Sequence, residues 1–174
     1  MEKRWKQRKS GGGYQLSDIG YGGLDYGVRR AAYSAPAQNI FEEIKLSGTE
    51  EPAVDLLVMS EWLCDILCST QPTIVAVEES IQGSSRNVRV GLSMAKVAGV
   101  FAVEVRKHGS DVIYVPPARW KKVVTGRGHA DKTEVATWLS AAYPQYTDKC
   151  RGSQDLVDAT CIALYAQTLL AGQS

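Results

Sequence analysis

The sequence predicts an α/β domain built on a mixed five-stranded sheet, a three-strand antiparallel meander plus parallel strands, with helices on both faces. Three observations predict it. Residues 22–47 hold three short strand-like runs in succession. From residue 52 onward helical and strand patterns alternate, the order expected of crossover units. "TIVAVEES", residues 73–80, is a continuous β-branched apolar run of the kind covered on both faces.

Taken in order, residues 1–20 form a basic, glycine-rich flexible arm outside the fold, and residues 21–174 form a single domain without internal repeats. In "GGLDYGVRRAAYS" two apolar runs flank Asp25–Val28, giving a strand, a turn and a second strand; "NIFEEIKLS" alternates as a third, edge-like strand. Pro52 suits a first helical turn, and Leu56, Met59, Leu63, Ile66 and Leu67 recur at helical spacing up to Ser69. The strand at 73–80 follows and ends in Glu78 and Glu79. Residues 86–107 read as a long helix whose Gly91, Ala95, Ala98, Gly99 and Ala102 permit close packing. "DVIYVPP" is a strand stopped by its prolines, "ARWKKVVTG" a short helix ended at Gly126, and "ADKTEVATWLSAAY" another helix. A final helix over 154–171 carries Leu156, Ala159, Ile162, Ala163 and Ala166 on one side.

Composition narrows the function classes. At 174 residues, 44% apolar and 22% charged, the chain suits one globular domain that buries roughly two-thirds of its unfolded surface. No stretch reaches the ~18 apolar residues of a membrane helix. The basic start "MEKRWKQRKSGGG" lacks a following apolar stretch, so the expectation is an intracellular, non-secreted protein of cellular or viral origin. Cys64, Cys68, Cys150 and Cys161 offer no paired ligand set and read as reduced core or surface thiols rather than zinc ligands. Net charge is only +1 but polarised: Arg119, Lys121, Lys122, Arg127 and Lys132 cluster against the single acid Asp131, whereas residues 42–55 are mostly acidic. A locally basic face is what phosphate binding needs.

Four carboxylates have unusual settings: Asp25 in the first strand, Glu78 ending the fourth, and Asp155 and Asp158 one turn apart near the start of the last helix. Singly, each also has an ordinary explanation, as a turn aspartate, a surfacing strand end, or acids favoured at a helix N-terminus. Neighbouring first and fourth strands, crossed at their ends by the final helix, would bring all four to one point. Like charges that close require cations or protons. All-oxygen ligation selects hard ions, Mg²⁺ or Mn²⁺, and two such ions ~3.5–4 Å apart stabilise in-line phosphoryl displacement. The chemistry implied is phosphodiester hydrolysis.

The same residues resemble the RuvC family of Holliday-junction resolvases. "GLDYG" is similar to its opening strand motif, with Asp25 the first acid; "VAVEES" to its second, with Glu78 at the catalytic position; "GLSMAKVAGV" to the following helix. "YVPPARWKKVVTGRGHADKTEV" resembles the family's proline, lysine, G-x-G and A-x-K segment, and "QDLVDATCIALYA" its closing acidic pair. The likeness runs from about Gly22 to Ala166. It implies an RNase H-like fold and a Mg²⁺-dependent endodeoxyribonuclease, with Mn²⁺ able to substitute, that acts in DNA recombination and repair. Asp25 would bridge two metal ions, Glu78 would hold one, and Asp155 and Asp158 would complete the ligands. Lys132 would meet the scissile phosphate, and Lys121 the DNA backbone together with Arg119, Lys122, Arg127 and Arg86. A homodimer would face the two symmetric strands of a four-way junction. Where the family commonly carries a stacking aromatic, this chain has Ile81, which can wedge between bases but not π-stack. Which branch-migration partner it would work with is not encoded in these motifs.

Three other readings compete. "GLDYGVRRAAYS" alone suits a YqgF-like nuclease acting on RNA nearly as well, but the second acidic motif and "GHADK" favour the resolvase. Sugar-kinase or actin-like ATPases need a second domain and phosphate loop that do not fit this length. A non-cleaving junction-binding homologue is disfavoured because all four acids are present.

Overall fold

The computed structural model describes residues 20–79 and 88–171; nearly all of the basic arm, with Ile81 and Arg86, lies outside them. The strand-like runs become β1 (Tyr21–Tyr26), β2 (Arg30–Ala35), β3 (Ile40–Lys45), β4 (Ile74–Glu78) and β5 (Asp111–Val115). They pair in the order β3-β2-β1-β4-β5. Both hairpins of the meander are antiparallel, and β4 and β5 run parallel to β1. A tight turn closes the first hairpin with Gly27 N–H donating to the Arg30 carbonyl at 2.8 Å. Parallel neighbours cannot be joined by a tight turn, so α1 (Pro52–Thr70) and α2 (Val88–Lys107) supply the crossovers. Beyond β5 follow α3 (Pro117–Thr125), α4 (Lys132–Ala142), the short α5 (Pro144–Thr147) and α6 (Gln154–Ala171).

Strand alternation divides the interior into two cores. Tyr21, Ala32, Phe41, Ile74, Ala76 and Val115 face α3, α4 and α6. Leu24, Tyr26, Tyr33, Val75 and Val77 face α1 and α2. Both faces of β4 are therefore covered, which is why its sequence is apolar throughout rather than alternating.

Helix α6 lies directly against β1. A Cβ at Gly23 would collide with the Ala159 carbonyl and the Ala163 nitrogen, so only glycine lets the helix approach this closely. A buried Thr160 hydroxyl adds a 2.9 Å bond to Ser34 on β2. Residues 155–166 of α6 are buried apart from half-buried Asp158, so the helix is enclosed on more than the single side its periodicity predicts.

Three expectations change. Of the small residues of α2, Ala98 packs against the core as expected, but Gly91 and Gly99 do not: among the described residues a Cβ at either would meet nothing within 4 Å. The packed side of α2 is instead Val97, Phe101 and Val105. Asp55, grouped by sequence with a solvated acidic face, is buried; it accepts from Thr49 N–H at 3.1 Å and pairs with Arg29 at 3.4 Å. Residues 144–150, for which the sequence reading has no element, form α5 and a 3-10 turn, where Tyr143 and Tyr146 stack with centroids 5.7 Å apart.

Gly23→Ala is expected to lower the unfolding free energy by about 1–3 kcal/mol through overpacking of the helix–strand contact, measured by urea denaturation.

Candidate active site

Register sets the first two acids side by side. Leu24 pairs with Val77, so the next residues, Asp25 and Glu78, follow on neighbouring strands, with their side chains on the α6 face. The other two come from the first turns of α6. Arg151 and Gly152, at φ 51° and 72°, turn the chain into this helix. Ser153 then donates to Glu43 of β3 at 2.6 Å, tethering the helix start to the sheet edge. That bond holds the Glu43 carboxyl below its ordinary range. Asp155 and Asp158 thereby project towards the ends of β1 and β4.

Electrostatics ties the four groups together through Asp25, which senses the other three, and through Asp158, which acts on Glu78 and is acted on by Asp155. Burial pushes the Asp25 carboxyl well above the usual carboxylate range; Glu78, Asp158 and Asp155 push it further, and only Arg30 opposes them. Burial and the Asp158 charge lift Glu78 to about 7, against the pull of Lys121 and Trp120. Asp158 is also raised by burial, offset by Gln154, Lys121 and Lys132. Trp120 is wholly buried and belongs to the core, so it cannot stack on a base. Its indole N–H makes no hydrogen bond of full geometry, yet lies close enough to favour the charged form of Glu78.

The chain's own donors occupy two of the acids. Arg30 Nε pairs with Asp155 at 3.4 Å, and Gln154 donates to Asp158 at 2.9 Å. No three of the four carboxylates bring oxygens within 4.8 Å of one another, a closeness that among the described residues only Cys64, Cys68 and His108 reach. Four converging carboxylates, two of them raised chiefly by burial and like charge, still form a donor set suited to a hard divalent cation.

Around this cluster the basic residues divide into two groups. Lys121 is half-buried, donates to the Ala130 carbonyl at 3.1 Å and lies 5.5 Å from the Trp120 ring centre; its charge acts on Glu78 and Asp158. Lys132 opens α4 behind the Asp131–Glu134 capping box, exposed but within electrostatic reach of Asp158. Arg119 and Lys122 are exposed on α3, and His129 in the loop after it. Arg127, also exposed, is bound at 2.5 Å to Glu134. Sequence reasoning missed Gly23, Arg30, Gln154 and Glu43. The "RR" beside the first acid was the one visible signal, because β2 alternation places Arg30 on the same face as Ala32.

The family model described as crossover junction endodeoxyribonuclease RuvC matches residues 20–165. The chain belongs to the RuvC family. A RuvC of Bradyrhizobium sp. (strain ORS 278) is 30% identical over 149 residues, 82% of each chain. One from Clavibacter sepedonicus is 28% identical over 151 residues, 87% of this chain and 70% of that one. The fold is RNase H-like: the solved structure of T. thermophilus RuvC in complex with Holliday junction substrate superimposes with a TM-score of 0.75 at 24% identity, covering 88% of this chain and 96% of that one. RuvC-family proteins are divalent-metal-dependent nucleases. Among the described residues no helix is long and apolar enough to cross a membrane.

The Glu78 carboxyl gives a pH test. Its folded-state value of about 7 lies above the ordinary 4.5, so protonation favours the folded form. The stability held by protonated Glu78 is complete below pH 4.5 and lost as pH rises through about 7. In chelator, Glu78→Gln is expected to match wild type near pH 4 and exceed it near pH 8, by on the order of 1–3 kcal/mol. Thermal unfolding across that range checks it.

Proposed function

We propose that the chain is a structure-selective DNA endonuclease that resolves four-way junctions, in recombination and repair, at the Asp25–Glu78–Asp155–Asp158 cluster. The observation that carries this reading is the meeting of four family-motif acids from β1, β4 and α6 in one mutually repelling group, beside a lysine-rich flank. Family membership supports the substrate class, and the solved T. thermophilus relative was captured with a Holliday junction.

The four carboxylates would hold two Mg²⁺ ions, with Mn²⁺ able to substitute. Bound there, the ions supply charge neutralisation at the phosphate and a water acidic enough to attack it. Asp25, fixed in the middle of the sheet, gives the site a rigid anchor. Lys132, exposed and facing Asp158, meets a non-bridging oxygen of the scissile phosphate. Lys121 serves both sides: it offsets Glu78 and Asp158, and its ammonium holds the DNA backbone. Arg119, Lys122 and Arg127 extend the phosphate contacts along α3 and the following loop. Ile81 and Arg86 complete the DNA-contacting set. In-line attack by water leaves 5′-phosphate and 3′-hydroxyl ends.

A homodimer presents two such sites to the two symmetric strands. The α1–α2 face supports it: Leu57, Leu92 and Val103 are 58%, 60% and 56% exposed, and Gly99 opens space beside a groove lined by Leu56 and Val100. Here Gly99 of α2 finds a use that the monomer does not give it.

Asp25→Asn should abolish cleavage of a synthetic four-way junction in Mg²⁺ while junction binding at matched salt is retained; full activity would overturn the site. Wild type should prefer the mobile junction over a fork, linear duplex and RNA:DNA hybrid, and preferential hybrid cleavage would instead indicate an RNA-directed enzyme. Val103→Glu, a charge placed on the exposed apolar face, is expected to shift the protein from dimer to monomer in sedimentation velocity.

A further inference from the structure

Cys64 and Cys68 stand four residues apart on α1, so both thiols share one face of the helix. His108 follows directly after α2 and brings its ring to the same place. Its Nε2 lies 3.7 Å from Cys64 Sγ and 3.4 Å from Cys68 Sγ. The three donor atoms all lie within 4.8 Å of one another.

The imidazole is already oriented as a ligand. Its Nδ1–H donates to the Glu104 carbonyl at 2.9 Å, which leaves the Nε2 lone pair facing the two sulfurs. The Glu104 carboxylate is buried, held by Ser60 at 3.0 Å and Lys107 at 3.2 Å, with one oxygen 3.7 Å from Nδ1. Glu104 and Asp65 also bring negative charge within electrostatic reach of Cys64, where it would attract a cation.

Distances then decide which ion fits. Zinc bonds of ~2.3 Å to sulfur and ~2.0–2.1 Å to nitrogen, set at the tetrahedral angle, separate the two atoms by about 3.6 Å. The observed separations of 3.7 and 3.4 Å straddle that value. A set of two sulfurs and one imidazole is soft and selects zinc over magnesium, unlike the all-oxygen cluster.

We propose that Cys64, Cys68 and His108 form a zinc site, separate from the acid cluster and on the opposite face of the sheet. Cys64 and His108 are half-buried and Cys68 is exposed, so the site is open to entry and its fourth position is left for water. Zn²⁺ displaces the two thiol protons to solvent and forms two Zn–S bonds and one Zn–N bond. The ion ties the C-terminal part of α1 to the end of α2, bracketing the chain that contains β4. Spacing in the sequence hides the site because His108 lies 44 residues from Cys64 and 40 from Cys68.

The test uses the full chain, reduced and stripped with chelator, titrated with Zn²⁺ and separately with Co²⁺. With excess Mg²⁺ present to fill the acid cluster, expected are one Zn²⁺ bound per chain, an upward shift of the unfolding temperature, and a sulfur-to-cobalt charge-transfer band with Co²⁺. Excess Mg²⁺ should not displace the zinc. Cys64→Ser and Cys68→Ser should each abolish the band, His108→Gln should weaken binding at least tenfold, and Asp25→Asn should leave all of it unchanged. On wild type alone, Zn²⁺ should protect Cys64 and Cys68 from alkylation by iodoacetamide, read by mass spectrometry, so the answer does not depend on the variants folding. Absence of both band and protection overturns the proposal, leaving a hydrogen-bonded thiol–imidazole trio. Zinc uptake that follows Asp25 instead of the cysteines, or a Cys64–Cys68 disulfide that binds no zinc once reduced, overturns it equally.

Discussion

Backbone contact between α6 and β1 at Gly23 is the constraint from which the acid cluster follows. A helix normally stands off a sheet by the depth of two layers of side chains. Here one layer is missing, because β1 offers hydrogen where Ala159 and Ala163 press in. Two residues further along β1, on the same face, is Asp25; along α6, Asp158 immediately precedes Ala159 and Asp155 lies one turn before it. The strand's period of two and the helix's period near 3.6 then bring three carboxylates together without any of them having to reach. Glu78 joins because β4 pairs with β1 in parallel register. A larger residue at position 23 would lift the helix and open the cluster, even though it touches no carboxylate.

That geometry carries an electrostatic cost, and the chain offsets only part of it. Arg30 faces Asp155, Gln154 caps Asp158, and Lys121 and Lys132 lower the potential from the α3–α4 side. Among the described residues Asp25 receives no such donor: the cation that lowers its carboxyl is Arg30, already engaged with Asp155. Glu78 has Lys121 and a buried indole N–H without full hydrogen-bond geometry. A purely structural cluster would have been satisfied by closer pairing, since a buried unpaired charge costs several kcal/mol. Incomplete internal neutralisation at the two central acids is what the proposal of an external cation rests on.

How far the sequence discloses this depends on the range of the interaction. Local signals read well: Pro52 opens α1, and Gly126 ends α3 at φ 81°. The acids were also legible, because their strand and helix settings are unusual without reference to any partner. Contacts that cross the chain were not. Ser153 and Glu43 lie 110 residues apart, and Thr160 and Ser34 lie 126 apart. Nothing in "GGLDYG" distinguishes Gly23, which admits a helix, from Gly22, where a Cβ would meet the Tyr33 ring. Gly91 and Gly99 of α2 differ from expectation for the opposite reason: a small residue shows that something can approach, not that this chain supplies it.

β4 is the element through which the two faces of the sheet communicate. Its Val75 and Val77 are packed against α1 and α2, while Glu78 at its end belongs to the acid cluster on the other side. Val77 and Glu78 are consecutive, so the strand cannot shift towards one layer without moving the carboxylate in the other. The proposed clamp between α1 and α2 would therefore act on the cluster by fixing the position of β4, not by switching it between two states. Transmission of that kind needs only a packed, incompressible core, and the side chains of Ile74–Val77 on both faces of β4 are buried. The soft donors above the sheet and the hard donors below it stay chemically separate. They share one strand as their mechanical reference.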